Sequence, residues 1–185
     1  MRYNTLRPLR SKRALSDDPL SLIANSNAGW TLCLAGQTEA AIQTLNKAFE
    51  LDPNFPRTHF RLGFVYLTRG LHEQAIAEFQ KAVQLSDGNP YYQASLANAY
   101  AVSGRTAEAR ELLKTLEARS AHQYVPAYGI ALIYAGLNDK DHALQWLEKA
   151  LADHSSSMAF AKVDPSLANL RSDPRFATLT QHLNF

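Results

Sequence analysis

Residues 62–85 read LGFVYLTRGLHEQAIAEFQKAVQL, and this stretch decides the fold of the chain. Small and bulky apolar residues recur in each half at spacings of three and four, which places them on one face of a helix. They are Leu62, Gly63 and Tyr66 in the first half and Ala75, Phe79 and Ala82 in the second. Between the halves, Gly70 can take the positive φ that ends a helix. The stretch therefore predicts an antiparallel pair of helices, each of about 14 residues.

The same pattern recurs at one fixed interval over four consecutive units, without an insertion. Three of the aligned rows are Gly29, Gly63, Ala97 and Ala131; Ala41, Ala75, Ala109 and Ala143; and Leu45, Phe79, Leu113 and Leu147. The turn position holds Gly36, Gly70, Gly104 and Asn138. Asparagine is the residue best suited, after glycine, to a left-handed φ. Small residues are expected where two helices approach closely. The sequence thus predicts four helical hairpins, at 22–55, 56–89, 90–123 and 124–157.

This pattern resembles the tetratricopeptide repeat (TPR) family, a 34-residue helix–turn–helix with small residues in the eighth and twentieth places and Asp-Pro at the join. Asp52-Pro53 stands at such a join, and the resemblance covers about three quarters of the chain. The tryptophan often found in the fourth place is missing, and Asn25, His59, Gln93 and Ala127 stand there instead. The resemblance implies an all-α protein, a right-handed solenoid of about four TPR hairpins.

The two ends of the chain depart from the repeat. Residues 1–21 are predicted to be a basic leader with a degenerate half-repeat, because Asp18-Pro19 lies one full interval before the first join, Asp52-Pro53. Residues 158–185 are expected to be a helical cap that closes the open apolar end of the solenoid. Asp164-Pro165 and Asp173-Pro174 are helix-start signals there. Three apolar residues follow at helical spacing, namely Phe176, Leu179 and Leu183. The phrase LRSDPRF at 170–176 is similar to the tail of TPR modules in bacterial signalling proteins.

Composition and motifs argue against catalysis and against several other classes of function. A net charge of +2 is too small to imply nucleic acid, no apolar run is long enough to span a membrane, and the leader lacks the apolar segment of a secretory signal. The single cysteine, Cys33, excludes an internal disulfide and favours a cytoplasmic location. A packing role suits it better than that of a nucleophile. The sequence carries no phosphate loop, nucleophile elbow or zinc-protease motif, so we expect no enzyme, cofactor or metal site.

Candidate binding residues lie on the first helix of each hairpin, because that helix lines the concave side of such a stack. Aromatic side chains that the core does not need tend to mark a binding surface. The candidates are Asn27, Trp30, Arg57, Phe60, Arg61, Phe64, Tyr91, Asn98 and Tyr128. The alternative is that these rings pack between adjacent repeats, and it applies more to Trp30 than to Phe60.

Arg57 and Arg61 are four residues apart and therefore lie on one helix face. Two guanidinium groups can hold a carboxylate bidentately. Together with Asn27 they resemble part of the carboxylate clamp by which chaperone-binding TPR domains hold an acidic C-terminus. The resemblance implies a protein or peptide partner with an acidic or C-terminal segment. A solvated basic patch is the alternative.

The function expected from these features is a non-catalytic adaptor that binds a peptide or protein segment along its concave face. The first alternative is a regulatory module of a larger bacterial signalling protein, such as a transcriptional regulator, cyclase or kinase. It would act through dimerisation of the repeats or by controlling an output domain. A second alternative is nucleic-acid binding through the basic leader, which we disfavour. Its cationic residues are Arg2, Arg7, Arg10, Lys12 and Arg13, and a solvated tail explains them as well.

Overall fold

The computed structural model of the chain describes Asp18, residues 20–181 and Leu183, and all regular secondary structure within that part is helical. The helices are α1 (Leu22–Leu34), α2 (Thr38–Leu51), α3 (Pro56–Thr68), α4 (His72–Leu85), α5 (Pro90–Val102), α6 (Thr106–Ser120), α7 (Ala127–Gly136), α8 (Lys140–Ala152), the 3₁₀ helices η1 (Ser156–Phe160) and η2 (Pro165–Leu170), and α9 (Pro174–Gln181). The predicted all-α class is confirmed. The basic leader predicted over 1–21 lies outside the described residues, except for Asp18, Leu20 and Ser21.

The chain divides into two compact units between Gly88 and Asn89. In the first unit α1 pairs with α2 and α3 pairs with α4, while α3 also packs against both α1 and α2. In the second unit α5 pairs with α6 and α7 pairs with α8, while α7 also packs against α5 and α6. Each unit therefore holds two helical hairpins, in the order that the sequence repeat predicts.

The repeat is visible in the helix starts, since α1, α3 and α5 begin at equivalent positions of their hairpins, Leu22, Pro56 and Pro90. Helix α7 begins later, at Ala127, and has only 10 residues. The cause is Pro126, because a proline pushes the residue before it out of the helical region. Val125 is consequently excluded from the helix, and Pro126 becomes the N-cap. The exact boundaries of the repeat units stay a prediction.

The rows of small residues mark where helices approach most closely. A Cβ added to Gly63 would lie 2.8 Å from two ring carbons of Phe79, and one added to Gly29 would lie 2.5 Å from a side-chain carbon of Leu45. Each pair joins the first helix of a hairpin to its second helix.

The turn residues also behave as predicted: all four have positive φ, namely Gly36 (73°), Gly70 (70°), Gly104 (84°) and Asn138 (61°).

Apolar residues of the repeat rows form the core of each unit. In the first unit one buried cluster contains Ala41, Leu45, Leu62 and Val65, and Phe79 is fully buried as well. In the second unit one cluster is built on α5, α6 and α7, with Leu116 and Ile130 fully buried. A further cluster joins α7 and α8 to the C-terminal segment. The end of the repeat array is thus covered by residues that do not follow the repeat.

The C-terminal segment is a cap of two 3₁₀ helices and one short α-helix. Both predicted helix starts are confirmed: Oδ1 of Asp164 accepts a hydrogen bond from the Ser166 amide, and Oδ1 of Asp173 accepts one from the Arg175 amide, each at 2.9 Å. Leu183, predicted on the face of the last helix, lies beyond its end at Gln181 but is still buried in the apolar cluster.

Polar side chains occupy the fourth place of the first three repeats, where the family often has tryptophan. His59 is buried, and its Nδ1 lies 2.7 Å from a carboxylate oxygen of Glu78 while its Nε2 lies 2.7 Å from the Pro53 carbonyl oxygen. In the next hairpin, Nη1 of Arg119 donates to the side-chain oxygen of Gln93 at 2.6 Å. In both hairpins a hydrogen bond therefore ties the start of the first helix to the second helix.

An ionised carboxylate and a carbonyl can only accept hydrogen bonds, so both ring nitrogens of His59 must donate, and this requires the charged imidazolium. Burial opposes that charge, but the hydrogen bonds to Glu78 and Pro53 outweigh burial and raise the pKa of His59 above its ordinary value. Lys81 also opposes the charge. The contacts of His59 therefore favour the protonated form of its imidazole in the folded first unit.

Replacing Gly63 by alanine should destabilise the first unit by about 1–3 kcal/mol, because the added methyl overlaps the Phe79 ring. The third hairpin combines Ala97 with Leu113 at the equivalent places. The double variant Gly63→Ala with Phe79→Leu should therefore recover part of the loss. Urea unfolding followed by circular dichroism measures both effects. An unchanged midpoint for Gly63→Ala would show that the helices have room to spare.

Raising the pH should weaken the first unit. Because the pKa of His59 is higher in the folded chain, its stabilising contribution is complete below its unfolded pKa of about 6.5 and is lost as the pH rises through the folded value. Urea midpoints measured from pH 5.5 to 8.5 should fall more steeply for the natural chain than for Glu78→Gln, which lacks the charged partner. Parallel slopes in the two chains would contradict a charged His59.

Candidate functional site

The partly exposed face of the first unit carries an aromatic pair and an arginine. Trp30 on α1 and Phe64 on α3 meet edge to face, with ring centroids 4.6 Å apart. The guanidinium carbon of Arg61 lies over the Trp30 ring, 4.4 Å from its centroid. All three side chains are partly exposed, and none is among the buried residues of this unit. We call Trp30, Arg61 and Phe64 the aromatic–arginine surface.

The other candidates of the first unit are placed differently. Arg57 is exposed, one helical turn before Arg61, as the spacing predicts. The side chain of Asn27 is partly buried. The backbone carbonyl oxygen of Asn27 accepts a hydrogen bond from the Thr31 hydroxyl, one turn later, at 2.9 Å. Phe60, predicted to face the open side, is only 4% exposed, and its ring lies 5.9 Å from that of Phe79. Phe60 is therefore a core residue, while Trp30 remains accessible, the reverse of the order expected from the sequence.

Cys33 lies on α1 one turn after Trp30, near Thr68 and Arg61. Burial raises the pKa of its thiol above the ordinary value, although a hydrogen bond with Thr68 and the charge of Arg61 oppose the shift. The thiolate is the reactive form of a cysteine. The environment therefore suits a packing residue, as predicted, and not an activated nucleophile.

In the second unit the C-terminal segment covers two of the predicted binding residues. Asn98 on α5 is 3% exposed, and its Nδ2 donates to the Ser166 hydroxyl at 3.3 Å. Tyr128 on α7 is 6% exposed, and its hydroxyl donates to Oδ2 of Asp164 at 2.9 Å. The prediction placed both residues on an open groove. The structure corrects this, because η2 lies against α7 and closes the strip to which they belong.

The carboxyl group of Asp164 is the centre of this polar contact. It is itself only 7% exposed, and burial raises its pKa above the ordinary value, although hydrogen bonds from Ser166 and Tyr128 and the charge of Arg171 oppose the shift. Arg171 also donates to the backbone carbonyl of Asp164 at 3.1 Å. Burial and the neighbouring carboxylate raise the pKa of Tyr128 far above its usual range, so the phenol remains a donor.

Sequence reasoning identified Asp164 only as a helix cap. One carboxylate oxygen does cap η2, but the other reaches Tyr128, 36 residues earlier in the chain. An aspartate before a proline indicates a helix start and carries no information about a contact far along the chain. The sequence therefore contains no separate signal for the second role.

Tyr91, the last candidate, is 43% exposed and lies at the edge of a cleft of about 420 Å³ in the second unit. The lining residues come from the starts of α5 and α7 and from the chain after α8, and they are Asn89, Pro90, Tyr91, Tyr124, Pro126 and residues 153–157. Tyr124 is 72% exposed and did not emerge from the repeat pattern. The structure thus separates Tyr91, which is accessible, from Asn98 and Tyr128, which are covered.

The described residues form neither a metal-binding cluster nor a membrane-spanning helix. Among them, His, Cys, Asp and Glu side chains make no group of three that could hold a metal ion. None of the helices in that part of the chain combines the length and the apolar character needed to cross a bilayer.

Three family models match the chain, and all describe tetratricopeptide repeats: one over residues 29–70, one over 66–123 and one over 95–157. The chain belongs to the tetratricopeptide repeat family. A curated relative is the small glutamine-rich tetratricopeptide repeat-containing protein 2 of Mycosarcoma maydis, 28% identical over 85 residues. That match covers 46% of this chain and only 24% of the relative.

Solved structures show the same fold. A chain of the APC/C hetero-tetramer Cut9-Hcn1 matches 98% of this chain with a TM-score of 0.68 and 17% identity, and this chain covers 34% of it. YrrB, reported as a TPR protein with an unusual peptide-binding site, matches 94% of this chain, with 90% of its own length covered, a TM-score of 0.52 and 17% identity. MamA matches 80% of this chain, and the match covers 86% of MamA, with a TM-score of 0.51 and 22% identity. These likenesses confirm an all-α TPR solenoid and do not favour the signalling-module alternative.

Cys33 should react slowly with alkylating reagents. At pH 7, iodoacetamide should modify the folded chain at least about 10-fold more slowly than the same chain in 8 M urea, because burial disfavours the thiolate. Intact mass spectrometry over time gives both rates. Equal rates in the two states would contradict the packing role, and a faster rate in the folded chain would identify Cys33 as an activated thiol.

Proposed function

We propose that this chain is a non-catalytic interaction scaffold that binds an acidic peptide or protein segment on the aromatic–arginine surface of its first unit. The observation that supports this most directly is the guanidinium carbon of Arg61, which lies 4.4 Å from the centroid of the Trp30 ring while both side chains are partly exposed. An arginine stacked on an aromatic ring keeps its charge and has a fixed plane, which suits recognition of a planar carboxylate.

The neighbouring side chains add to this surface. Arg57 is exposed one turn away on the same helix and supplies a second positive charge. The rings of Trp30 and Phe64 offer apolar area beside the charges, and aromatic residues and arginine are enriched where binding energy concentrates. An acidic side chain or a C-terminal carboxylate next to an apolar residue is the ligand chemistry that fits both features.

The fold supports binding of a peptide or protein as the class of function, but it does not indicate which ligand is bound. A stack of helical hairpins presents its first helices side by side as an extended surface. YrrB shares this fold and is reported to have a peptide-binding site. The identity of the ligand lies in a few side chains, and in the first unit those are Trp30, Arg57, Arg61 and Phe64.

The double substitution Arg57→Ala with Arg61→Ala should weaken binding of an acidic peptide at least about 10-fold, because each charged hydrogen bond contributes about 1.5–3 kcal/mol. The probe is a fluorescein-labelled decapeptide ending in four glutamates with a free carboxylate, measured by fluorescence anisotropy. A peptide with four glutamines and an amidated end should bind much more weakly. Added salt should weaken binding of the acidic probe.

A matched control is Arg110→Ala with Lys114→Ala. Arg110 and Lys114 are exposed and lie four residues apart on α6, as Arg57 and Arg61 do on α3. Their substitution lowers the net charge by the same amount. This control should leave the affinity within about twofold of the natural chain, since its charges lie on a second helix. An equal loss in both double variants would show a general charge effect and overturn the proposal. Light scattering on the same samples separates peptide binding from dimerisation of the repeats.

A further inference from the structure

The first-helix faces of the second unit are occupied by the chain itself. We propose that α5 and α7 form a second peptide-binding strip, that residues 164–170 are its internal ligand, and that an external peptide with an aspartate followed three and six residues later by leucines competes for it. This inference rests on the proposed function in one respect, that first helices bind peptides. Its site lies in the second unit, and its ligand differs from the acidic peptide proposed for the first unit.

The polar contacts of the segment are those of a ligand seated on the strip. Asp164 accepts from Tyr128 on α7, and Ser166 accepts from Asn98 on α5. Both strip residues and the carboxyl group are buried. Removing a carboxylate from water is costly, so such a contact is a poor way of simply covering an apolar end. Its effect is to fix the position of the segment on the strip.

The apolar contacts define the spacing of the ligand. Leu167 and Leu170 are fully buried, three and six residues after Asp164, and they share one cluster with Ala127, Ala131 and Ala135 of α7. Small residues on the strip let the backbone of the segment approach closely. Asn169 adds a hydrogen bond to the carbonyl oxygen of Ala135 at 2.9 Å. An acidic residue followed by two leucines is therefore the pattern that the strip recognises.

The other parts of the cap contact a different helix. Both η1 and α9 pack against α8, the second helix of the last hairpin, whereas η2 turns back onto α7. All three elements contribute to the apolar cluster that covers the end of the array, with Leu167 and Leu170 from η2. Residues 164–170 differ from η1 and α9 in that they also pack against a first helix, α7, and bond to Asn98 on α5.

The internal ligand does not satisfy the strip completely. Oδ1 of Asn98 is buried and has no hydrogen-bond partner among the described residues. An unpaired buried acceptor carries a desolvation cost that a donor from a better-fitting ligand would remove. This leaves room for an external peptide to compete, even though a tethered segment has a high effective concentration.

The test uses the full chain and the fluorescein-labelled peptide KVDPSLANLRS, which copies residues 162–172, with both ends blocked. Asp164→Ala loosens the internal segment and leaves Asn98 and Tyr128 unchanged. We expect this variant to bind the peptide at least about 10-fold more tightly than the natural chain does, because its internal competitor is weakened. Fluorescence anisotropy gives both affinities.

Two comparisons test whether the aspartate of the peptide bonds to Tyr128 and whether binding is independent of the first-unit site. A peptide with alanine in place of its aspartate should bind Asp164→Ala at least about 10-fold more weakly, and adding Tyr128→Phe to that variant should abolish the difference. Arg57→Ala with Arg61→Ala should leave the affinity for KVDPSLANLRS unchanged, so a failure of the first-unit site is recognised separately. If Asp164→Ala binds the peptide no better than the natural chain, or binds both peptides equally, the proposal is overturned.

A second measurement needs no variant. In the natural chain, millimolar unlabelled KVDPSLANLRS should accelerate hydrogen exchange of residues 164–170, since the external peptide displaces the internal one. Exchange in α3 and α4 should stay the same. An unchanged exchange rate in 164–170 at saturating peptide would show that the segment is a fixed part of the core and overturn the proposal, whether or not Asp164→Ala folds.

Discussion

The contact on which the rest of the structure depends is that between a small residue in the first helix of a hairpin and a bulky one in the second. Gly63 against Phe79 and Gly29 against Leu45 leave no space for even a methyl group. Such proximity lets the two helices of a hairpin share one apolar seam, and the same seam recurs along the chain. Because each seam buries one face of the first helix, the opposite face is left for other contacts.

The opposite face of the first helices is partly exposed in the first unit and covered in the second. In the first unit Trp30, Arg61 and Phe64 remain partly exposed. In the second unit Asn98 and Tyr128 are covered by residues 164–170. Both faces combine polar groups with apolar ones, which is how ligand sites obtain specificity. One chain therefore carries an open surface and one that it fills with its own residues.

Most of the fold was predictable, because helix periodicity is a local property. The spacing of Ala75, Phe79 and Ala82 shows which face of a helix is buried, and Gly70 shows where a helix ends. The exception was α7, whose start was delayed by Pro126. For the candidate site, periodicity indicated the face of each helix. It did not indicate that Phe60 packs against Phe79 while Trp30 stays accessible, because depth of burial depends on the neighbouring helices.

The sequence by itself determined the hairpins, their turns and the small-residue seams, since each rests on contacts that recur in every hairpin at the same places. Only the tertiary structure decided which first-helix faces are open. Asn98 is paired with Ser166 across 68 residues, a contact to a segment that lies outside the repeat. The physical reason is that Asp164 caps η2 with one carboxylate oxygen and accepts from Tyr128 with the other, while an aspartate before a proline signals only the cap. Which of these roles a carboxylate oxygen performs depends on whether a donor such as Tyr128 lies within reach.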